Sequence, residues 1–478
     1  MAALTRARSR RPLPVRLFAV VGAMLVVVVV SQVASQLRTA GTPSRPAAPA
    51  AVDRLQPAIG DLDAGTTGDT GAAAGAGAAT GDVARIKANI EFWSARVARD
   101  RDDFISSNRW GISEIELARA TGDLTAFLKA DGAFDTTLAR DPHNAAALGY
   151  KGSVLVSLHR FVDAAGLART VLATQPADPV ALATLGDASL ELGDLPAARD
   201  AYGRANEVAQ SAATLGRLAH LDFIEGKTAD AVRLATAAVG LSESEGAEGE
   251  RAAFYHYQLA DVLISTGDRA GARKAYAAAL AADPGSFLAH SGLARVAAAD
   301  GDLDGAIHQL TDAIAIVPQP DFLARRGDLY TLRATSGDRK LAADDYATVE
   351  AIATLAGEAA SVYDRTLALY LANHGLDATG AVTLADGELA VRKDVYGYDA
   401  DAWALLAAGR ATDADAMMSR ALAFGTRDAK LLYHAGMIAA ALGQTDRART
   451  SLTDALALDP SFDPLQVARA RAALADLP

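Results

Sequence analysis

Among the residue types of this chain, histidine comes nearest to a spacing that could support chemistry. The eight histidines are scattered, but His256 and His290 lie 34 residues apart. If the chain is built from units of that length, the two imidazoles occupy equivalent places in neighbouring units and could approach each other as a metal pair. We favour the alternative that both are packing residues at a position that takes large side chains, and we predict no metal site.

The sequence contains no motif of a known reaction class. It has no His-Glu-x-x-His, no Walker loop, no Gly-x-Ser-x-Gly elbow and no protein-kinase signature. The glycine-rich residues 71–81 follow no strand, so they do not indicate a phosphate-binding loop. Cysteine is absent, which excludes disulfides and thiolate metal sites. We therefore predict no catalytic residue, no cofactor and no enzyme activity.

Alanine supplies the pattern that organises the chain. Between residues 130 and 448 an alanine returns at steps of 33 to 41 residues, most of them close to 34. A fixed period of this length with a small residue at one phase indicates stacked helical hairpins. Such an array is nearly one-dimensional, because each unit contacts mainly its neighbours. The repeated alanines are Ala130, Ala164, Ala198, Ala231, Ala272, Ala306, Ala342, Ala381, Ala414 and Ala448.

Other positions keep the same period. Five residues before the alanine, a glycine can supply the tight turn between two helices. Four and seven residues after it, a bulkier apolar residue and a second small residue share one helix face with it. Twelve residues after it, a proline ends the unit. The glycines are Gly193, Gly226, Gly267, Gly301, Gly337, Gly409 and Gly443, and the prolines are Pro142, Pro176, Pro284, Pro318 and Pro460.

Together these positions resemble the tetratricopeptide repeat. The resemblance covers residues 105–462 and implies an all-α fold, an α-solenoid of about ten such helical hairpins. Two units depart from the pattern: the first should have a longer hairpin turn, and the unit of Ala381 lacks both the Gly-Asp turn and the proline. One unit that follows the pattern well contains Leu185-Gly186, Gly193-Asp194, Ala198, Tyr202 and Ala205.

The family resemblance also implies where a partner binds. In this family the first helix of each hairpin lines the concave face, at positions 18, 15 and 11 residues before the repeated alanine. Many of these positions carry aromatic or charged residues; among the residues there are His220, Asp261, Leu288, Ser291, Tyr396, Asp399 and Lys430. Aromatic residues and arginine are typical of binding hot spots. We predict partner contacts at Phe254, Tyr257, Arg295, Trp403 and Tyr433. The alternative is that several of them pack between neighbouring helices.

The N-terminal segment indicates a membrane address. Residues 1–16 are basic, and residues 17–33 are almost entirely apolar. Five arginines precede this stretch and only Arg38 follows closely, so the N-terminus should be cytoplasmic and the repeats extracytoplasmic. A retained signal anchor is our preferred interpretation. The alternative is a secretory signal cleaved after Ser35, which would give a secreted or periplasmic protein.

Composition completes the predicted order. The Pro/Ala/Gly-rich stretch lacks large apolar groups and should be disordered, whereas terminal helices should cap the array. The stretch 242–250 is acidic and should form a solvated loop. The predicted segments are a basic cytoplasmic tail (1–16), a transmembrane signal anchor (17–35), a linker (36–82), an N-terminal helix (83–104), the repeat solenoid (105–462) and a C-terminal capping helix (463–478).

The charge of the chain restricts its partners. The formal net charge is −12, which argues against non-specific nucleic-acid binding. Abundant alanine, and arginine in excess over lysine, suggest a bacterial coding bias. We predict a membrane-tethered scaffold or adaptor that binds a protein or peptide through its concave groove. A non-catalytic subunit of an envelope-assembly enzyme complex is the alternative from another functional class.

Overall fold

The computed structural model describes residues 80–355 and 362–478. Within these ranges the chain forms 22 α-helices and no strand. None of these helices is both long and apolar enough to cross a membrane. The predicted basic tail and signal anchor, and the linker up to residue 79, lie outside the described residues, so their predictions stay predictions.

The helices follow one another with short connections. In chain order they are α1 (Thr80–Arg99), α2 (Phe104–Thr121), α3 (Leu124–Arg140), α4 (Ala145–Ser157), α5 (Phe161–Thr174), α6 (Pro179–Glu191), α7 (Leu195–Val208), α8 (Ala212–Ile224), α9 (Thr228–Ser244), α10 (Gly249–Ser265) and α11 (Arg269–Ala282). The second half contains α12 (Phe287–Ala299), α13 (Leu303–Ile316), α14 (Pro320–Arg333), α15 (Asp338–Leu355), α16 (Asp364–His374), α17 (Ala378–Val391), α18 (Val395–Ala407), α19 (Ala411–Leu422), α20 (Ala429–Ala441), α21 (Thr445–Leu458) and α22 (Gln466–Asp476).

Helices α2–α21 pair into ten antiparallel hairpins, numbered here from α2/α3 to α20/α21. Helix α1 packs on α2, and α22 packs on α20 and α21. The predicted all-α solenoid of about ten hairpins is therefore confirmed for the described residues. Aspartates begin many of the second helices, because a side-chain carboxylate satisfies a free backbone N–H of the first turn. Asp194, Asp268 and Asp302 do this for Ala197, Gly271 and Gly305.

The repeated alanines lie where the two helices of a hairpin cross. Nine of the ten are completely buried, and Ala342 is 4% exposed. The bulkier residue four positions later, such as Tyr202 or Tyr276, is also buried. It faces a glycine on a neighbouring first helix: a Cβ added to Gly186 would lie 2.3 Å from the Tyr202 ring. Small residues at these positions therefore let the helices pack closely, as the periodicity predicts.

The turn glycines adopt the backbone conformation that the pattern requires. All seven predicted turn glycines have positive φ angles, from 70° at Gly443 to 95° at Gly337. In the second hairpin the same place is taken by His159, which has φ 56° and is a rare non-glycine residue in this region. Its ring is buried and stacks on Phe161 at 5.3 Å between ring centroids.

Three local predictions need correction. In the first hairpin the turn between Thr121 and Leu124 is shorter, not longer, because the extra residues extend α3 at its start. In the unit of Ala381 the turn glycine and capping aspartate are present, as Gly375 and Asp377 with one residue between them. The acidic stretch 242–250 is mostly helical, and only residues 245–248 lie between α9 and α10.

Early hairpins touch late ones, which a one-dimensional array does not do. The backbone N–H of Lys393 donates to the carbonyl of Glu191 at 2.8 Å. The Thr426 hydroxyl donates to the carbonyl of Ile224 at 2.5 Å, across 202 residues of sequence. We call this boundary the seam; it joins residues 191–193 and 224–226 to residues 392–394 and 425–426. The superhelix therefore closes on itself after about one turn.

The surroundings of the turn glycines show which hairpins lie against later parts of the chain. A Cβ added to Gly193 would lie 2.5 Å from the carbonyl oxygen of Lys393, and one added to Gly267 would lie 3.3 Å from that of Leu458. Within the described residues, the turn glycines of the last five hairpins meet no atom within 4 Å: Gly301, Gly337, Gly375, Gly409 and Gly443. The early turns are thus covered by the later loops, whereas the late turns are open.

Candidate functional site

A cavity lies inside the closed turn. Its volume is about 240 Å³, and it is lined by the first helices of seven consecutive hairpins, α8, α10, α12, α14, α16, α18 and α20. Residues 461–464, before the capping helix, complete the wall. We call this space the lumen cavity. Its position matches the concave face that the family resemblance implies, because first helices supply most of its wall.

Three of the five predicted contact residues line the lumen cavity: Phe254 and Tyr257 on α10 and Arg295 on α12. Each is half-buried, so each packs against the solenoid while presenting part of its surface to the cavity. Large, stiff aromatic side chains beside an arginine can bury partner surface at low entropic cost. Their contact with a partner stays a prediction.

The other two predicted residues belong to the core. Tyr433 is completely buried and Trp403 is 6% exposed, so neither has the exposed surface that a partner contact needs. The Tyr433 hydroxyl donates to Gln466 Oε1 at 2.8 Å, since the segment leading to α22 covers it. Trp403 Nε1 donates to Asn373 Oδ1 at 2.8 Å, and its ring stacks on His434. Here the alternative of packing between helices holds.

The lumen cavity contains an arginine between two carboxylates. Arg295 Nη1 lies 3.6 Å from Asp261 Oδ1, and Arg295 Nη2 lies 3.7 Å from Asp459 Oδ2. Burial disfavours the charged guanidinium, but the neighbouring acids outweigh it and raise the pKa of Arg295. Burial also raises the pKa of Tyr276, which donates to Asp261 at 3.4 Å. At neutral pH the arginine is charged and the tyrosine is neutral.

Further residues of the lining were named by the same three positions. His220, Asp261, Leu288, Ser291, Tyr396, Asp399 and Lys430 all line the lumen cavity. Burial lowers the pKa of His220, so its imidazole is neutral at pH 7. The sequence rule missed Asp321, Phe322 and Arg325 on α14 and the loop 461–464. The rule misses the α14 residues because the first helix of that hairpin is offset along the sequence relative to the repeated alanine. It misses the loop because the loop lies outside every hairpin.

The two histidines at equivalent positions do not share a site. His290 Nδ1 lies 2.8 Å from Gln309 Oε1, and its Nε2 lies 3.3 Å from the carbonyl of Pro284. His256 instead faces Glu243, at 3.6 Å. Each ring is engaged within its own surroundings, as the packing interpretation requires. In the described ranges no group of three histidine, aspartate or glutamate side chains is arranged to hold a metal ion.

Family models match parts of the chain. One model described as tetratricopeptide repeat matches residues 115–179, 154–214 and 257–320, and a second with the same description matches residues 429–462. A search of curated proteins found no match.

Several solved structures are similar in their helical arrangement. A tetratricopeptide repeat protein from Parabacteroides merdae is 13% identical, covering 56% of this chain and 93% of its own, with a TM-score of 0.39. The human IFIT1 dimer with m7Gppp-AAAA is 12% identical, covering 79% and 87%, with a TM-score of 0.44. YrrB, described as having an unusual peptide-binding site, is 17% identical, covering 45% and 97%, with a TM-score of 0.28. The family models, together with the helical hairpins, show that the chain contains tetratricopeptide repeats.

Proposed function

We propose that this protein is a non-catalytic scaffold that holds a segment of a partner protein or peptide in its lumen cavity. One observation carries the proposal: seven consecutive first helices surround a single cavity, and about half of the residues that line it are aromatic or charged. Side chains of both kinds, set on rigid helices, recognise a peptide without large rearrangement.

The lining favours a polypeptide over a nucleic acid. Aspartates outnumber basic residues around the cavity: Asp261, Asp321, Asp399, Asp428 and Asp463 against Arg295, Arg325 and Lys430. A phosphate backbone needs a basic surface, since its affinity depends on neutralising phosphates. A peptide offers a weakly polar backbone and side chains of either charge. We therefore propose a protein or peptide partner and not a nucleic acid.

Random decapeptides displayed as a library and selected on the full-length protein would test the proposal. The selected peptide is then measured against the double variant Tyr257→Ala/Arg295→Ala. Loss of an aromatic anchor and its neighbouring cation should weaken binding by about 2 kcal/mol, or roughly 30-fold. Circular dichroism checks that helicity is unchanged.

A matched control separates the cavity from the outer surface. Arg273 and Lys274 lie exposed on α11, a second helix, outside the cavity lining. The double variant Arg273→Ala/Lys274→Ala should bind the selected peptide as the original protein does. Full affinity in the Tyr257→Ala/Arg295→Ala variant would place the binding surface elsewhere and refute the proposal.

We also propose that the scaffold is tethered to a membrane by residues 17–35, with the repeats on the extracytoplasmic side. The arginines before this apolar stretch support that orientation. Protease added to intact cells, or to spheroplasts if an outer membrane is present, should digest the repeats. Protection until lysis would reverse the orientation. N-terminal sequencing distinguishes a retained anchor from a secreted or periplasmic protein that begins after Ser35.

A further inference from the structure

The lumen cavity is closed on the side where a groove would be open. Its wall runs from α8 to α20, and these two ends of the wall meet at the seam. There the Thr426 hydroxyl bonds the last carbonyl of α8, and the backbones of Gly226 and Gly425 touch. Phe223, Ile224 and Val395 belong to one buried apolar cluster there. An extended segment therefore has no lateral opening through which to enter.

The cavity is also small. Its volume of about 240 Å³ lies below the ~300–1,000 Å³ of pockets that enclose a small-molecule ligand. It has room for about one or two side chains, and not for a folded loop with both of its strands. Water reaches it, because the Asp261 side chain is 49% exposed and that of Arg295 is 25% exposed. Entry along the superhelix axis is the route that this geometry leaves.

The cations of the wall already have carboxylate neighbours. Arg325 Nη2 lies 2.9 Å from Asp321 Oδ2, and Arg295 lies between Asp261 and Asp459. The Arg325–Asp321 pair is neutral, whereas Arg295 offsets only one of its two carboxylates. Lys430 is the remaining cation of the lining, and Asp428 lies two residues before it in the chain.

The remaining carboxylates give the cavity an excess of negative charge. Asp428 Oδ1 accepts the backbone N–H groups of Lys430 and Leu431 at 2.9 and 3.0 Å. Asp463 Oδ1 accepts those of Leu465 and Gln466, both at 2.9 Å. Aromatic faces from Phe254, Tyr257, Tyr396 and Phe462 line the same space and can contact a cation.

We propose that the lumen cavity accepts the free amino end of a partner chain, which enters along the axis of the closed turn. Its ammonium group would lie among the carboxylates, and its first one or two side chains would contact the aromatic residues. This inference rests on the proposed function, because it names which part of a polypeptide the cavity takes. An internal segment cannot reach the site unless the seam opens, and a carboxyl end would meet the negative excess.

The experiment compares one peptide with its two ends free, chemically blocked or joined. A peptide selected on the full-length protein from a library of random hexapeptides with both ends free is resynthesised in N-acetylated, C-amidated and head-to-tail cyclic forms. Acetylation and cyclisation should each weaken binding roughly 10-fold or more, since an ionised group loses its hydrogen bonds. Amidation should leave affinity nearly unchanged.

Other results of this comparison would each contradict one part of the proposal. Loss of binding on amidation alone would refute the amino-end assignment. Equal binding of the cyclic form would refute axial entry. Failure to select any hexapeptide or decapeptide would instead count against the proposed function, so the two failures are distinguishable.

A pair of variants ties the preference to the cavity. Asp261→Asn removes a half-exposed carboxylate from the lining and should reduce the ratio between the free and acetylated peptides. Asp300→Asn removes a carboxylate of similar exposure (44%) outside the lining and should leave that ratio unchanged. Asp300 pairs with Arg269 and Arg273 on the outer surface. An unchanged ratio in Asp261→Asn, or equal changes in both variants, would place the ammonium elsewhere.

Discussion

Gly226 and Gly425 lie on opposite sides of the seam with their backbones in contact: a Cβ on Gly226 would sit 2.2 Å from the carbonyl oxygen of Gly425. Gly226 follows α8 in the fourth hairpin, and Gly425 follows α19 in the ninth. Both have positive φ angles, 74° and 86°. Glycine is needed here for two reasons, its backbone conformation and the space that it leaves.

These two reasons can be separated by comparing two glycines. Gly443 has a similar φ of 70° but no atom within 4 Å of an added Cβ. Gly443→Ala should therefore cost only the left-handed conformation, about 1–2 kcal/mol. Gly226→Ala should cost clearly more, because the seam must also move apart. Chemical denaturation of the two full-length variants measures the difference, and equal losses would mean that the seam yields freely.

A second prediction concerns the ionic part of the seam. Arg392 pairs with Glu191 across the seam, and Asp394 Oδ2 lies 3.6 Å from its Nε. All three side chains are largely buried. Arg392→Met should cost about 3–5 kcal/mol, because it leaves the buried Glu191 carboxylate without its cation. Asp394 keeps a second cation, Arg365, whose Nη2 lies 2.6 Å from its Oδ1. Arg410→Met breaks an exposed pair with Asp413 and should cost at most about 1 kcal/mol. Similar thermal midpoints for the two variants would contradict this view.

The double variant Glu191→Leu/Arg392→Met tests the same pair from the other direction. Burial raises the pKa of Glu191 to about 7 even beside Arg392, so its charge is poorly solvated. Replacing both partners with apolar groups removes that penalty and should recover most of the loss caused by Arg392→Met. A double variant as unstable as the single one would show that the pair stabilises through its charges.

Overpacking tests the repeat position itself. Ala306 is completely buried at a helix crossing, whereas Ala277 on α11 is exposed. Ala306→Phe should destabilise the protein by about 1–3 kcal/mol or more, because a close-packed crossing has no room for the ring. Ala277→Phe should change stability by no more than about 0.5 kcal/mol. A thermal midpoint unchanged by Ala306→Phe would show that the helices separate without cost.

The raised pKa of Asp401 predicts that the protein is more stable at low pH, as far as this group contributes. Burial raises the pKa of Asp401 to about 6, with Asp386 adding to the effect, from an ordinary value of 3.8. The folded state therefore binds this proton more tightly than the unfolded chain. Stability from this group is complete below pH 3.8 and is lost as the pH rises through 6.

Replacing the carboxyl by an amide removes that loss. Asp401→Asn should be more stable than the original protein at pH 7.5, by at most about 3 kcal/mol. The advantage should fade at pH 4, where Asp401 is protonated in the folded protein. Asp413→Asn, at an exposed position, serves as the control. Thermal unfolding at both pH values checks the sign; a gain that is larger at pH 4 would refute it.

The period of the alanines was sufficient to predict the hairpins and much of the lumen lining. It works because a position where two helices cross admits only a small side chain, so packing leaves a mark at every repeat. Tyr257 and Tyr433 show the limit of such a rule, since both stand 15 residues before a repeated alanine. Tyr257 faces the cavity, but the segment before α22 covers Tyr433.

Closure of the superhelix could not be predicted from the same pattern. It depends on how small rotations between successive hairpins accumulate, and no single residue encodes that sum. Charged residues are seldom buried unless they are paired. Buried charges such as Glu191 and Arg392 were therefore the only local sign that the superhelix closes. These two residues lie 201 positions apart in the chain, so their pairing is visible only in the folded molecule.

The separation of about 200 residues across the seam has a consequence for biosynthesis. Hairpins form from local contacts and can fold in order from the N-terminus as the growing chain emerges, whether from the ribosome or on the far side of a membrane. Glu191 and Ile224 must then wait, solvated and unpaired, until residues 392 and 426 have been translated. At ~5–20 residues per second this delay is on the order of 10–40 seconds. During that interval the nascent chain is an open arc, and its early turns are available to chaperones or to a second nascent chain.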